Sequence, residues 1–131
     1  MATITEDYVS FETAKLLKDK GFNEELCHMW YNIRKDVGYY LSSVGVKNHL
    51  PAPTLQMAMK WLREEHSIII IVEPHIFNPQ EGRATQFSFS VWVEDNYEDP
   101  YFDDSEHQFE SFSTYEKTCD VAIKYCLTNL V

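Results

Sequence analysis

Five β-branched apolar residues stand in a row at Ile68-Ile-Ile-Ile-Val72, between Ser67 and Glu73-Pro74. The run offers no polar face at any period. Branched side chains lose χ1 freedom in a helix and sit well on a pleated surface, so this stretch is a strand. Apolar at every position, it is expected to be a central strand covered on both faces. A chain of 131 residues built around it has room for one domain with a modest core. One cover can come from its own helices, and the second from a further helix or a second subunit.

Three segments carry helical periodicity. Residues 10–20 begin at Ser10, a good N-cap, with Val9 and Ala14 spaced as a hydrophobic staple. Phe11, Ala14 and Leu17 form the apolar stripe, with Leu16 beside it. Gly21 then stands where a left-handed residue is wanted, and Phe22 is placed to touch Leu17 in a Schellman close. Residues 54–66 start at Thr54, after Pro53, and align Leu55, Ala58, Met59 and Leu62, with Met57 and Trp61 widening the stripe. Residues 114–130 follow a Ser113-x-x-Glu116 capping box. They keep Tyr115, Cys119, Ala122, Ile123, Cys126, Leu127 and Leu130 at helical spacing.

The remaining strands are shorter or alternate. Cys27, Met29, Tyr31 and Ile33 alternate with His28, Trp30 and Asn32, which predicts a hairpin over 26–44 turning near Arg34-Lys35-Asp36. Thr85 to Glu94 alternates strictly. Phe87, Phe89, Val91 and Val93 share one face; Gln86, Ser88, Ser90, Trp92 and Glu94 share the other. Residues 45–53, 75–84 and about 95–108 are expected as connections. The order is α-β-β-α-β-β-α. It predicts a single α+β domain over 1–131, with a mainly antiparallel four-stranded sheet packed with three helices.

The formal charge is −10, and it is concentrated. From Ala84 to Glu116 there is no Lys or Arg, and nine of the twenty-one acids fall there: Glu94, Asp95, Glu98, Asp99, Asp103, Asp104, Glu106, Glu110 and Glu116. The other twelve nearly balance the eleven bases. Such a chain is not expected to bind nucleic acid directly, because that binding rests on Lys and Arg neutralising phosphates. Docking on anionic lipid is unfavourable for the same reason. No stretch approaches the roughly 18 apolar residues of a membrane span, and no signal-peptide pattern opens the sequence.

Common chemistries find no motif. The four glycines, Gly21, Gly38, Gly45 and Gly82, make neither phosphate-binding pattern. The five histidines include no i, i+4 pair, and adjacent Cys27 and His28 would face opposite sides of a strand, so no metal site is expected. Cys119 and Cys126 are too far apart on a helix to bridge and lie on its apolar stripe, where thiol pKa values rise. An odd cysteine count without C-x-x-C fits a reducing, cytoplasmic setting. The acidic segment lacks the glycine and spacing of an EF-hand loop. No catalytic residue and no cofactor are expected.

Three segments together carry a resemblance: Val9–Phe22 (VSFETAKLLKDKGF), Pro51–His66 (PAPTLQMAMKWLREEH) and Phe112–Leu127 (FSTYEKTCDVAIKYCL). The most specific piece is Pro51-Ala-Pro-Thr54 leading into Lys60-Trp-Leu-Arg-Glu-Glu65. The chain resembles a group of small, uncharacterised proteins encoded by gut anaerobic bacteria and their phages or mobile elements. The resemblance implies one domain in a bacterial or phage-infected cytoplasm. It brings no catalytic residues with it.

The expected function is a non-enzymatic binding or accessory module. Trp92 lies on the polar face of its strand, and Trp30 shares a face with His28 and Asn32, so an exposed aromatic sheet face is the candidate interface. Tyr97, Tyr101 and Phe102 interleave with the acids and extend it. The expected partners are a second copy, a dimer before higher forms, or a protein with a basic surface. The alternative is an acidic inhibitor of the phage type that mimics nucleic acid through residues 94–110, led by Glu94, Asp95, Glu98, Asp99, Asp103, Asp104 and Glu106.

Overall fold

A computed structural model describes residues 3–23, 29–31, 37–39, 50–77, 84–95, 99–103 and 112–131. The elements run α1 (Phe11–Asp19), β1 (Met29–Tyr31), β2 (Val37–Tyr39), β3 (Leu50–Pro51), α2 (Leu55–His66), β4 (Ile68–Phe77), β5 (Ala84–Asp95), β6 (Asp99–Asp103) and α3 (Tyr115–Asn129). The α+β class and the three helices agree with the sequence pattern. The expected single four-stranded sheet does not form. Among the described residues there are two three-stranded antiparallel sheets, ordered β2-β1-β3 and β4-β5-β6.

The two extra strands come from stretches expected to be connections. Leu50–Pro51 pairs with Tyr31 and Trp30, and Ala52 N–H donates to the Met29 carbonyl at 2.7 Å. Asp99–Asp103 pairs with Val91–Asp95, with Asp95 opposite Asp99. Short strands that borrow their regularity from a neighbour leave little periodicity to detect. The strand at Ile68 also runs on to Phe77, through Pro74, and pairs with β5 over ten rungs. Because β4 lies at a sheet edge, Pro74 can enter the ladder without removing an inter-strand bond.

The helix ends follow their side chains. Ser10 caps α1, its Oγ accepting from Thr13 N–H. Gly21, at φ +107°, closes it: Phe22 N–H donates to the Leu17 carbonyl and Gly21 N–H to that of Lys18, the expected Schellman pair. Thr54 caps α2 through Met57 N–H. The cap of α3 is Thr114, bonded by Lys117 N–H, and not Ser113 with Glu116. The shift by one residue has a reason. Phe112 exchanges two backbone bonds with Phe87, which ties it to β5, and the chain bends through Ser113 before Thr114 takes the cap.

The last helix is the hub of the core. It packs on β4, β5, α1 and α2, and Cys119, Ala122, Ile123, Cys126 and Leu127 are fully buried. Its apolar stripe meets Ile68, Ile70, Phe89 and Val91 on one face of the β4-β5-β6 sheet.

Candidate functional site

The second sheet buries one face and leaves the other open. Along β4 the exposures alternate: Ile68 1%, Ile69 44%, Ile70 9% and Ile71 36%. The expectation that Ile68–Val72 is central and covered on both faces is therefore corrected. Among the described residues the strand is at the edge of its sheet, and helices cover one face. The overlooked signal lies just downstream. Continuing the odd positions past Ile71 gives Glu73 and His75, both polar and exposed, which marks the odd face as the outer one.

Cross-strand register then assembles the outer face. Ile69 stands opposite Trp92, Ile71 opposite Ser90, Glu73 opposite Ser88 and His75 opposite Gln86. Trp92 is half-buried between β4 and β6, with Phe102 on its other rung. Glu94, exposed, follows Trp92 on the same face. His75 Nε2 and Ser88 Oγ share a hydrogen bond of 2.6 Å. A serine beside a histidine meets the first requirement of nucleophilic catalysis. Here the pair lies on an open strand face and joins two neighbouring strands as a clamp.

The proposed aromatic face is split by the two-sheet arrangement. Trp30 belongs to β1 in the first sheet, between Gly38 and Pro51, and is buried at 6% exposure. It shares no sheet with Trp92 and is not an exposed aromatic. Tyr101 and Phe102 lie in β6, on rungs with Val93 and Trp92. Asp99 and Asp103 bound that strand, and Asp95 ends β5. His28, Tyr97, Glu98, Asp104 and Glu106 lie outside the described residues. The segment taken as an acidic loop from 95 to 108 thus contains an edge strand with an aspartate at each end and Pro100 within it. Charge and proline on an edge discourage strand addition there.

Nucleophilic and metal chemistry gain little. Cys119 and Cys126 are buried free thiols. Burial pushes the Cys119 thiol up, against a smaller lowering from its hydrogen bond with Tyr115. A thiol held protonated is a poor nucleophile. Cys27 lies outside the described residues. Among the described residues, no three His, Cys, Asp or Glu side chains group to hold a metal. No helix of the described residues is long and apolar enough to cross a membrane. An open groove of about 280 Å³ on α2 is lined by Phe22, Met57, Lys60, Trp61, Glu64 and Glu65. Its floor belongs to the packing: Phe22 is buried and meets Trp61 edge-on, 5.6 Å between ring centroids.

The chain matches no known family, no curated protein and no solved structure.

Proposed function

We propose that this protein is a non-enzymatic binding module that docks a protein partner on the outer face of the β4-β5-β6 sheet. The observation behind this reading is the alternation along β4, which leaves Ile69 and Ile71 exposed beside Trp92. Isolated exposed apolar residues are ordinary, but three adjacent on a strand pair form a patch. The partner is one with apolar side chains at its centre and Lys or Arg around them. Charge complementarity argues for it. Glu73 and Glu94 flank the patch, and the whole segment that forms β5 and β6 contains no base. A second copy laid face to face would set this acid-rimmed patch against itself. In keeping with the resemblance, the setting is the cytoplasm of a bacterial or phage-infected cell.

The nucleic-acid mimic through residues 94–110 draws less from the geometry. A mimic needs its acids along one face. Glu94 takes a position on the outer face with Trp92, apart from Asp95, Asp99 and Asp103, whose register positions share the other face, and Glu98, Asp104, Glu106 and Glu110 lie outside the described residues.

The test uses methyl resonances of Ile69 and Ile71. A helical peptide with leucine on one face and lysine on the other is titrated in, beside its glutamate counterpart. The basic peptide is expected to move these methyls and the Trp92 indole, with Ile69→Lys and added salt both weakening the effect. Equal response to both peptides, or shifts confined to other surfaces, removes the reading.

A further inference from the structure

The backbone of β4 has one side bonded to β5 and one side turned away, and the direction of each residue can be derived. Glu94 N–H donates to the Ser67 carbonyl at 2.9 Å, so the rung before Ile68–Val93 is a hydrogen-bonded one. Antiparallel rungs alternate between bonded and non-bonded pairs. Ile69, Ile71 and Glu73 therefore bond to β5. Ile68, Ile70, Val72 and Pro74 point their backbone groups outward. Two further observations agree. Pro74, which has no N–H to give, falls on a non-bonded rung. Phe87, opposite Pro74, exchanges its own pair of bonds with Phe112 on the far side, both at 2.8 Å.

β4 is an end strand of its sheet, and among the described residues the outward N–H and C=O of Ile70 and Val72 have no hydrogen-bond partner. Ile68 is covered, at 1% exposure, and Pro74 ends the row of donors. The free stretch is short and bounded at both ends.

We infer that this edge pairs with β4 of a second copy, antiparallel across a two-fold axis, joining two three-stranded sheets into one of six strands. The row is self-complementary. With Ile70 opposite Val72 of the second copy, each rung exchanges both backbone bonds, and the axis passes beside Ile71. Ile71 then meets its own counterpart on the outer face, on a non-bonded rung where Cα atoms approach to about 4.5 Å. Charge selects this edge over the other. β4 is uncharged from Ile68 to Val72, whereas β6 begins and ends in aspartate and would oppose itself. Pairing through β4 leaves the two acidic strands at opposite ends of the joined sheet. The edge is separate from the face proposed above for a partner, and neither proposal needs the other.

The experiment is sedimentation equilibrium of the full chain across the micromolar range, with four variants. The wild type is expected at twice 15.4 kDa. Val72→Pro removes one outward N–H and leaves the β5 ladder intact. It is expected to weaken the dimer about tenfold or more. Val72→Ala, which loses the side chain but keeps the N–H, remains dimeric. In a Cys27→Ser background, Ile71→Cys is expected to form an interchain disulfide under mild oxidation, and Glu73→Cys is not. A 15.4 kDa mass throughout overturns the inference, and so does a Val72→Pro protein as dimeric as Val72→Ala. Should Val72→Pro fail to fold by circular dichroism, the Ile71→Cys cross-link decides, and its absence counts against the dimer.

Discussion

The backbone N–H of Ser10 donates to Oδ1 of Asp120 at 2.8 Å, across 110 positions of sequence. In a local capping box the N3 side chain reaches back to the N-cap N–H. Here N3 is Thr13, whose hydroxyl is taken by Ser10 Oγ at 2.9 Å, and a carboxylate from α3 does the reaching instead. The start of α1 is thereby tied to the middle of α3.

Asp120→Ala should lower unfolding free energy by about 1.5–3 kcal/mol, the range for a hydrogen bond to a charged group. Asp120→Asn keeps an acceptor oxygen and should lose about half as much. Urea denaturation of the three proteins decides it. An Asp120→Ala protein within experimental error of wild type would show the bond to be dispensable.

The Tyr31 hydroxyl donates to the Val9 carbonyl from a buried position. Burial raises its pKa above 10.0, with the charges of Asp120 and Glu12 adding to the shift. The folded state therefore holds the phenolic proton more tightly than the unfolded chain. Stability is unaffected below the unfolded value and falls as pH rises above about 10. Tyr31→Phe should be less stable at neutral pH by about 1 kcal/mol, for the lost bond. Its stability should decline less steeply in alkali. Thermal unfolding midpoints at neutral and strongly alkaline pH test the sign, and parallel slopes for the two proteins would refute the assignment.

Neighbouring isoleucines should differ sharply. Ile68→Ala opens a cavity against α3 and should cost about 2–5 kcal/mol. Ile69→Ala removes a side chain that is 44% exposed and should cost under about 1 kcal/mol. Chemical denaturation of both variants checks the register of β4. Equal costs would place the odd face in a buried interface.

Among the described residues, two positions have left-handed backbones, one with glycine and one without. Gly21, at φ +107°, has open space around a would-be Cβ, so Gly21→Ala should cost about 1–2 kcal/mol for backbone strain alone. Ser67, at φ 55°, turns α2 into β4. Ser67→Gly should relieve part of such strain and gain about 0.5 kcal/mol. Calorimetric melting of both is the measurement, and a shift of opposite sign in either contradicts the account.

The helices were legible in the sequence because each carries an apolar stripe behind a capping side chain, although the cap of α3 falls one residue later than expected. The Schellman close at Gly21 is the clearest case, since Leu17, Gly21 and Phe22 lie within six consecutive residues. What periodicity does not carry is partnership. Nothing local in Leu50–Pro51 or Asp99–Asp103 marks a strand, because each is held by a neighbour's backbone. The same gap misplaced the candidate site. Trp30 and Trp92 have similar local patterns, and only the division into two sheets buries the first and leaves the second half-open. The isoleucine run misled in a different way. Composition cannot distinguish a strand covered twice from one whose second face is apolar and open, and only the alternation beyond Ile71 bears on it.

The placement of α3 sets a timetable for the nascent chain. The helix that covers Ile68, Ile70, Phe89 and Val91 is the last of these elements to leave the ribosome. At synthesis rates of about 5–20 residues per second, several seconds pass between the emergence of β4 and that of α3. Through that interval a strand of consecutive isoleucines exists without its lid. Until α3 arrives, the face of β4 that carries Ile68 and Ile70 lacks the helix that buries it, so burial of that face is completed only at the end of the element order.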